Sequence, residues 1–490
     1  MYRKKGGLYL QAGEQLVAPG ATAHLLSICG KVIAIDSGMG LRDEKLGGNY
    51  FPYYGEYAGK VDLILMTHHH LDHSGNIPAL ARANPKARIM FTRPAAIGAE
   101  IMLKDSLKIH EIEQRDKVFE KRGDPIPFIY TKKSLQDMYK RIEPIPKPGW
   151  TSVWPGWSFG FYSAGHTRGA VMTFIIPPQG PAYFITGDVC SHNQPLQGGV
   201  MLPPREFFGS RLNGKKIVVI TEATYGNRIA DQPIGELWNK LGEIVQKARA
   251  ELRQAFMPSF SDREPHIAKA LIDLGIVPHL DGMGRDFFLK QGDEDYRWCP
   301  QDVAIDVKAL IRDKKVILYK KLTRKDPQEA HEAEASHRLA TAAGHCCGMS
   351  YSPIISSSAM MDKGMSVSHA MEILPNPKAM VIHTGHIFPH TVGEATLRAR
   401  KGDTVKLTML DRGHKTERPV PVSCDVIQIG LSGHDPADKL VERVHLLNEI
   451  CPVEAVIAHH GDQENVDGLM RRLKSDFTVF HGKHGVEIPL

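Results

Sequence analysis

Short apolar runs alternate with turns and polar helical stretches over roughly the first 200 residues, a pattern typical of an α/β or sheet-rich sandwich. Three runs predict buried strands, over residues 31–35, 61–67 and 181–186, and each ends in small or charged residues. Residues 74–76 then provide a cap for a helix that runs through residues 77–81.

The pattern changes after residue 208. A strand over residues 214–220 is followed by a long helical pattern over residues 234–253, and strands then alternate with helices as in a parallel α/β domain. The final part of the chain returns to the first style, with a strand over residues 455–458.

Chain length supports two domains, because 490 residues exceed what one hydrophobic core usually supports. We therefore expect one domain built from residues 1–207 and 401–490, and a second domain over residues 208–400 that interrupts it. Between them we expect a cleft.

The composition, 42% hydrophobic and 24% charged, is that of a globular protein. No apolar run is long enough to span a membrane, and no apolar segment follows the basic start as in a secretory signal. Seven cysteines without a CxxC pair predict a reducing, cytoplasmic location. A net charge of +6 permits nucleic-acid binding without requiring it.

The 24 histidines include a dense cluster at the end of the predicted strand 61–67. His68, His70, Asp72 and His73 form an HxHxDH pattern, and imidazole nitrogen and carboxylate oxygen both suit zinc. A strand-to-helix turn can present His68 and His70 to one metal and Asp72 and His73 to a second. The alternative, a polar loop that is merely rich in histidine, does not account for this spacing at this position.

Three further motifs follow the same order as in the metallo-β-lactamase superfamily, whose signature the HxHxDH segment resembles. Asp36 ends its strand like the carboxylate of the first motif, and residues 164–170 resemble the third motif, with His166 as a ligand. Arg168 stands where that motif usually has proline. Asp188, at the end of the strand 181–186, resembles the fourth motif, whose aspartate bridges two metals.

Later residues resemble the β-CASP nucleases, a group within this superfamily. Residues 221–226 resemble their first motif, with Glu222 as its acidic residue, and residues 429–435 resemble the second, which contains His434. His460 matches the third motif, in which RNA-directed members carry histidine and DNA-directed members an aliphatic residue. The chain is thus identified as a member of the RNA-processing branch, which implies an αββα sandwich with an inserted parallel α/β domain.

The resemblance also implies the roles of the site residues. Asp36 would orient a ligand histidine, and His434, held by Glu222, would be the general acid; Asp72 would serve both as ligand and in catalysis. The alternatives are that Glu222 only caps the next helix and that His434 is a solvated loop residue. Two Zn²⁺ per chain are expected, with Mn²⁺ as the alternative, held by His68, His70, His166 and Asp188 at one position and by Asp72, His73, Asp188 and His460 at the other.

Substrate contacts are expected from small and basic residues near the cleft. Phosphate contacts of this kind give affinity without sequence information. Residues 356–364 resemble a loop beside the active site of these nucleases, and residues 383–397 resemble the block that follows it. The expected substrate-binding residues are Lys363, Ser357, Ser358, Thr384 and Gly385; Arg168 and Arg263 are further candidates for an RNA path. The alternatives are that the basic residues form a solvated surface and that the small residues only allow close packing.

The resemblance and these residues together imply a zinc-dependent ribonuclease that hydrolyses phosphodiester bonds of single-stranded RNA with hydroxide activated by two metals. Internal cleavage and trimming from a 5′ end are both compatible with them. The alternatives are a related hydrolase acting on DNA or a small phosphoester, and an inactive scaffold subunit of an RNA-processing complex. A homodimer or such a complex would fit the prediction; a membrane partner would not.

Overall fold

The computed structural model describes residues 8–11, 21–43, 48–115, 130–200, 202–229, 234–319, 352–411, 414–483 and 485–489. Within these residues, two seven-stranded sheets form the largest unit. The first sheet contains, in spatial order, the strands Glu487–Pro489, Leu8–Gln11, His24–Ile28, Lys31–Ile35, Leu63–Leu65, Arg88–Thr92 and Ile142–Ile145.

The second sheet combines strands from residues 149–222 with strands from residues 453–481. Its strand Ile217–Glu222 pairs in parallel with Ala182–Ile185 on one side and with Val453–His459 on the other. In spatial order the second sheet contains Val479–His481, Val453–His459, Ile217–Glu222, Ala182–Ile185, Val171–Ile176, Ser158–Ser163 and Gly149–Thr151.

The two sheets pack face to face over one apolar core, because alternate residues of each strand point to the same side. This core contains buried side chains from both sheets, among them Tyr9, Leu26, Ile33, Leu63, Phe159, Phe161, Val218 and Ile457.

Helices cover the outer face of each sheet. Leu80, Leu103 and Leu135 pack with the first sheet, and Leu440 and Val444 pack with the second. The expected αββα sandwich is therefore confirmed. The helices on these faces are Ile77–Ala83, Arg93–Arg115 and Lys132–Arg141 on one side, and Arg205–Phe208, Ala437–Ile450 and Gln463–Leu473 on the other.

A third, parallel sheet forms the inserted domain. Its six strands, in spatial order, are Ile317–Leu318, His279–Asp281, Ile354–Ser356, Gln254–Pro258, Ala379–His383 and Asp425–Gln428. The helices of this region are Ile234–Ala250, Glu264–Asp273, Met283–Lys290, Val307–Arg312, Met365–Ile373 and Val392–Arg398. The remaining elements are the hairpins Thr404–Asp411/His414–Pro421 and Gly40–Asp43/Gly48–Tyr50, the helix Leu71–Ser74, and the 3₁₀ turns Gly55–Tyr57 and Glu294–Tyr296.

The strands that make up each sheet indicate bounds for the inserted domain that differ from the predicted 208–400. The strand Ile217–Glu222 belongs to the sandwich, whereas Asp425–Gln428 pairs with Ala379–His383 in the inserted sheet. We therefore propose that the inserted domain begins after Glu222 and extends through Gln428. Among the described residues, no helix has the length and apolar character needed to cross a bilayer.

Candidate metal centre

The site residues lie in loops at one edge of the sandwich. The histidine loop follows the strand Leu63–Leu65, Asp188 follows Ala182–Ile185, and His460 follows Val453–His459. The strands of the second sheet run parallel here, so their carboxyl ends share one edge, and contacts from the histidine loop to Asp188 and His460 place that loop of the first sheet at the same edge. The inserted domain reaches that edge through Asp262, which contacts His70.

One group of four donor atoms has the spacing of a tetrahedral site. His70 Nδ1 lies 3.1 Å from His68 Nε2 and 3.2 Å from His166 Nε2. Asp188 Oδ2 lies 3.6 Å from His68 Nε2 and 3.7 Å from His166 Nε2. Four ligands about 2.1 Å from a tetrahedral zinc lie about 3.4 Å from one another. The donor set therefore fits a divalent ion in both chemistry and spacing.

A second group of donors adjoins the first. His73 Nε2 lies 3.2 Å from His460 Nε2 and 3.4 Å from Asp188 Oδ1. Asp72 Oδ2 lies 3.3 Å from His460 Nε2. Ligand atoms of His73, Asp188 and His460 all lie within 4.8 Å of one another, as do those of His68, Asp72 and His73.

Asp188 connects the two groups through its two carboxylate oxygens. Oδ2 faces His68 and His166, whereas Oδ1 faces His73 and His460. Oδ1 is buried and makes no hydrogen bond of ordinary geometry within the described residues, which is costly for a carboxylate oxygen unless a cation is bound. Burial alone would raise the pKa of Asp188, but the surrounding histidines hold it well below its usual range.

Asp36 orients one of the donor histidines. Its Oδ2 accepts a hydrogen bond from His73 Nδ1 at 2.8 Å, and both its oxygens accept from Thr67, through the backbone N–H and the hydroxyl, at 2.7 Å. A neutral imidazole carries one N–H, so this contact leaves His73 Nε2 free as a ligand atom. Thr67 Oγ1 also lies 3.2 Å from His68 Nδ1.

Two other histidines are oriented by groups from elsewhere in the chain. His166 Nδ1 lies 2.7 Å from the Gly433 carbonyl, and His460 Nδ1 lies 3.0 Å from Thr224 Oγ1. A Cβ on residue 433 would lie 3.1 Å from His166 Nδ1, so glycine permits this close approach. His166 Nε2 faces His70, and His460 Nε2 faces His73 and Asp72, although His460 Nδ1 also lies 3.4 Å from Asp188 Oδ1.

Asp262 is a site residue that the sequence analysis missed. Its Oδ2 lies 3.0 Å from His70 Nε2 and 3.9 Å from His69 Nε2, although it is 192 residues from His70. Burial alone would raise the pKa of Asp262, but His70 lowers it below the usual range. Its place in the loop that follows the buried strand Gln254–Pro258 was the available signal, since ligand sites lie at the carboxyl ends of parallel strands.

His69 lies beside this contact in an apolar setting. Both of its ring nitrogens lack a hydrogen-bond partner among the described residues, and burial lowers its pKa to about 3. Its ring lies 5.4 Å from that of Phe287, and a Cβ on residue 98 would come within 2.6 Å of it. His69 therefore packs as a neutral side chain behind the loop.

His434 and Glu222 form a pair next to Asp188. His434 Nδ1 lies 2.9 Å from Glu222 Oε2 and 4.0 Å from Asp188 Oδ2, while Glu222 Oε1 accepts from the Val189 N–H at 2.6 Å. Burial opposes a charged His434 ring, but the Glu222 carboxylate raises the pKa of His434 above its usual value. Glu222 therefore does not cap the following helix, and His434 is 19% exposed instead of fully solvated.

Three of the expected substrate residues lie in the inserted domain, outside the groups of donors. Ser357 Oγ accepts from the Met283 N–H at 3.2 Å, and Ser358 Oγ donates to the Lys363 carbonyl at 3.0 Å. The Lys363 side chain is exposed. The structure does not bring these three residues together with the histidines, and their substrate role stays a prediction.

Thr384 and Gly385 lie closer to the centre, because they adjoin the loop that carries Asp262. Thr384 Oγ1 donates to Ser259 Oγ at 3.1 Å, and a Cβ on residue 385 would lie 3.7 Å from the Phe260 ring. Their role in binding substrate also stays a prediction.

Arg168 is not available to RNA, although its charge suggested a place on the substrate path. It is 3% exposed and donates to the carbonyls of Leu196 and Val303, which joins the sandwich to the inserted domain. Arg263 is partly buried and donates to the side chain of Gln194 and to the Leu431 carbonyl.

A polar pocket of about 300 Å³ lies near His434. Arg228 lies over the ring of Tyr225 at 4.7 Å, and the Tyr225 ring lies 5.9 Å from that of His434. The pocket is lined by Arg228, His386, Ile387, Glu394, Leu397, Arg398 and Gln428.

The profile of the Metallo-beta-lactamase superfamily matches residues 19–172, which include the HxHxDH segment and His166. A crystal structure of a protein of unknown function from Enterococcus faecalis V583 is similar over 99% of this chain and 100% of its own, with a TM-score of 0.55 and 13% identity. That likeness supports the fold alone.

Curated relatives include proteins named as ribonucleases. Endoribonuclease YSH1 of Kluyveromyces lactis is 22% identical over 94% of this chain and 56% of its own length. Transcription termination factor FttA of Methanosarcina mazei is 25% identical over 91% of this chain and 65% of its own. Ribonuclease TTHA0252 of Thermus thermophilus is 25% identical over 49% of each chain. The chain thus spans about half the length of several of these relatives.

Proposed function

We propose, from the premise that this chain is a metallo-β-lactamase superfamily protein of the β-CASP family, that it is a metal-dependent endoribonuclease acting on single-stranded RNA. The observation that carries the proposal is the position of Asp188, whose two oxygens face two adjacent groups of histidines. A carboxylate placed in this way could hold two metal ions about 4 Å apart, which is the spacing found in two-metal hydrolases.

We assign the first ion to His68, His70, His166 and Asp188, and the second to Asp72, His73, Asp188 and His460. Zinc is favoured because nitrogen and carboxylate donors at this spacing suit a four-coordinate site, with Mn²⁺ as the alternative. When bound, two such ions activate water and stabilise the charge that develops on the phosphate oxygens.

His434 acts as the general acid in this proposal. Its Nδ1 is held by Glu222, so its Nε2 is the atom that delivers a proton to the leaving 3′ oxygen of the ribose. The downstream product then carries a 5′-phosphate. Glu222 is itself fixed by the Val189 N–H, which keeps the ring in one orientation.

Two features favour RNA over a small ester. Two of the three relatives described above are named for cleaving RNA, and the name of the yeast relative supports internal cuts. The pocket near His434 offers the guanidinium group of Arg228, which is suited to a backbone phosphate, whereas Arg398 there pairs with Glu394 at 2.8 Å. His460, by its resemblance to RNA-directed proteins, favours RNA over DNA.

The test is to incubate the purified chain with 5′-labelled single-stranded RNA and with DNA of the same sequence, with and without chelator. We expect internal RNA cuts that are lost in chelator and in His434→Ala, while DNA stays intact. Cleavage of DNA at an equal rate would support a nuclease without preference for RNA. Intact RNA in the presence of two bound ions per chain would contradict the proposal.

A further inference from the structure

The HxHxDH loop receives a carboxylate from the inserted domain as well as one from the sandwich. Asp36, on the sandwich, holds His73 at 2.8 Å, and Asp262, on the inserted domain, holds His70 at 3.0 Å. The two contacts differ in the ring nitrogen of the histidine that the carboxylate meets. Asp36 meets the Nδ1 of its histidine and leaves Nε2 facing the donors, whereas Asp262 meets Nε2 and leaves Nδ1.

The contact of Asp262 decides which nitrogen of His70 can bind a metal. Nε2–H donates to the carboxylate, so the lone pair of a neutral ring lies on Nδ1. Nδ1 is the atom that lies 3.1 Å from His68 Nε2 and 3.2 Å from His166 Nε2. Without Asp262, the ring of His70, whose side chain is 24% exposed, is free to take the other tautomer or to rotate.

The loop that carries Asp262 is fixed on both sides. The Ser259 N–H donates to the Ser356 carbonyl at 3.1 Å within the inserted sheet. The guanidinium of Arg263, the next residue, donates to Gln194 in the sandwich. Asp262 itself is only 10% exposed. Such a carboxylate is held in place by both domains and does not sample solvent freely.

We propose that Asp262 is a positioning residue through which the inserted domain completes the first metal site, by fixing the tautomer and orientation of His70. This rests on the ligands assigned in the proposed function. The inserted domain therefore contributes to metal affinity as well as to the substrate cleft.

The test measures metal binding instead of cleavage. Zinc is titrated in competition with a chromogenic chelator into the full chain, Asp262→Asn and Asp262→Ala, and the visible spectrum of each Co²⁺-loaded protein is recorded. Asp273→Asn is the matched control, because Asp273 lies in the same domain, is 56% exposed and pairs with Lys269.

We expect two ions per chain, with the affinity of one lowered by about 10- to 100-fold in Asp262→Ala and that of the other unchanged. Asp262→Asn keeps an acceptor oxygen and nearly the same shape, so it should fold and show a smaller loss. The Co²⁺ spectrum should change for the same single ion. Asp273→Asn should match the parent chain.

Two outcomes would overturn the inference. Unchanged affinity in both Asp262 variants would remove the positioning role. Three ions in the parent chain that fall to two in Asp262→Ala would make Asp262 a ligand, together with His69 and His70, whose donor atoms lie within reach of it. Failure of the parent chain to cleave RNA would contradict the proposed function and leave this inference intact, because metal affinity is measured separately.

Discussion

Glu222 Oε2 lies 2.9 Å from Nδ1 of His434, and this pair joins a strand of the second sandwich sheet to the loop that follows the inserted sheet. The two residues lie 212 positions apart in the sequence, so their contact depends on the tertiary fold and not on a local pattern. It gives the proposed general acid a fixed direction.

Replacing His434 with alanine should lower kcat for RNA by about 10²- to 10⁴-fold, the range typical of general acid catalysis, with little change in KM. A substrate with sulfur in place of the 3′ oxygen at the cut bond should restore much of the rate, because a thiolate leaves without a proton. Single-turnover cleavage of both substrates measures this.

The control for that experiment is His445→Ala, since His445 is a 43% exposed histidine on the nearby helix Ala437–Ile450. It should cleave both substrates like the parent chain. Equal loss of rate on the oxygen and sulfur substrates in His434→Ala would argue against proton donation. Glu222→Gln should show a weaker form of the same pattern, because the ring is then held without a charge.

Asp188→Asn should lower the affinity of the chain for both ions. One carboxylate oxygen faces each group of histidines, whereas an amide presents only one oxygen and no charge. The metal content measured after dialysis should fall from two ions per chain towards none. This loss is larger than the change in metal affinity of about 10- to 100-fold that is typical when an orienting residue is replaced. Loss of a single ion, with the second bound as before, would contradict the bridging role. Chelation of the parent chain, followed by added zinc, should abolish and restore cleavage.

Individual strands and helices could be predicted well where the pattern of hydrophobic residues clearly fits one type of element. The predicted strand 31–35 is Lys31–Ile35 in the structure, and the helix predicted over 77–81 is Ile77–Ala83. The strand predicted over 61–67 is limited to Leu63–Leu65, because the chain leaves the first sheet before the histidine loop. Hydrophobicity alone does not show where a ladder of hydrogen bonds ends.

Relationships between distant segments were harder to predict. The strand Ile217–Glu222 and the helix after it resemble a βα unit of the inserted domain, but the strand pairs with Val453–His459 in the sandwich. Its partner is set by tertiary packing, which no local pattern reports. Asp262 was missed for the same reason: its place after a strand indicates the edge of the sheet, but not that it meets a histidine 192 residues away.

Arg228→Ala should raise KM for RNA about tenfold and leave kcat unchanged, because Arg228 lines the pocket near His434 without touching the donor groups. The salt dependence of binding should fall by about 0.7 in log–log slope, as for one lost phosphate contact on a single strand. Arg312→Ala is the control, since Arg312 is 72% exposed and pairs with its neighbour Asp313. Equal effects of the two variants would show only general attraction of RNA to positive charge.

Acid should destabilise the chain partly through His383, which lies at the end of the strand Ala379–His383 with its Nε2 3.1 Å from Thr396 Oγ1. Burial lowers the pKa of His383 to about 4, against about 6.5 in an unfolded chain. The unfolded state therefore binds the proton first as pH falls, and stability is lost from about pH 6.5 down to about pH 4. At pH 5 this difference corresponds to about 2 kcal/mol.

The measurement is the free energy of unfolding in urea at pH 7.5 and pH 5 for the parent chain and for His383→Gln, both without added metal. Glutamine does not titrate, so the variant should lose about 2 kcal/mol less than the parent chain between the two pH values, whatever its stability at pH 7.5. His445→Gln is the control for replacing a histidine at the surface, since His445 is 43% exposed. Parallel losses in all three proteins would mean that His383 takes up its proton in the folded state, which its burial and its contact with Thr396 argue against.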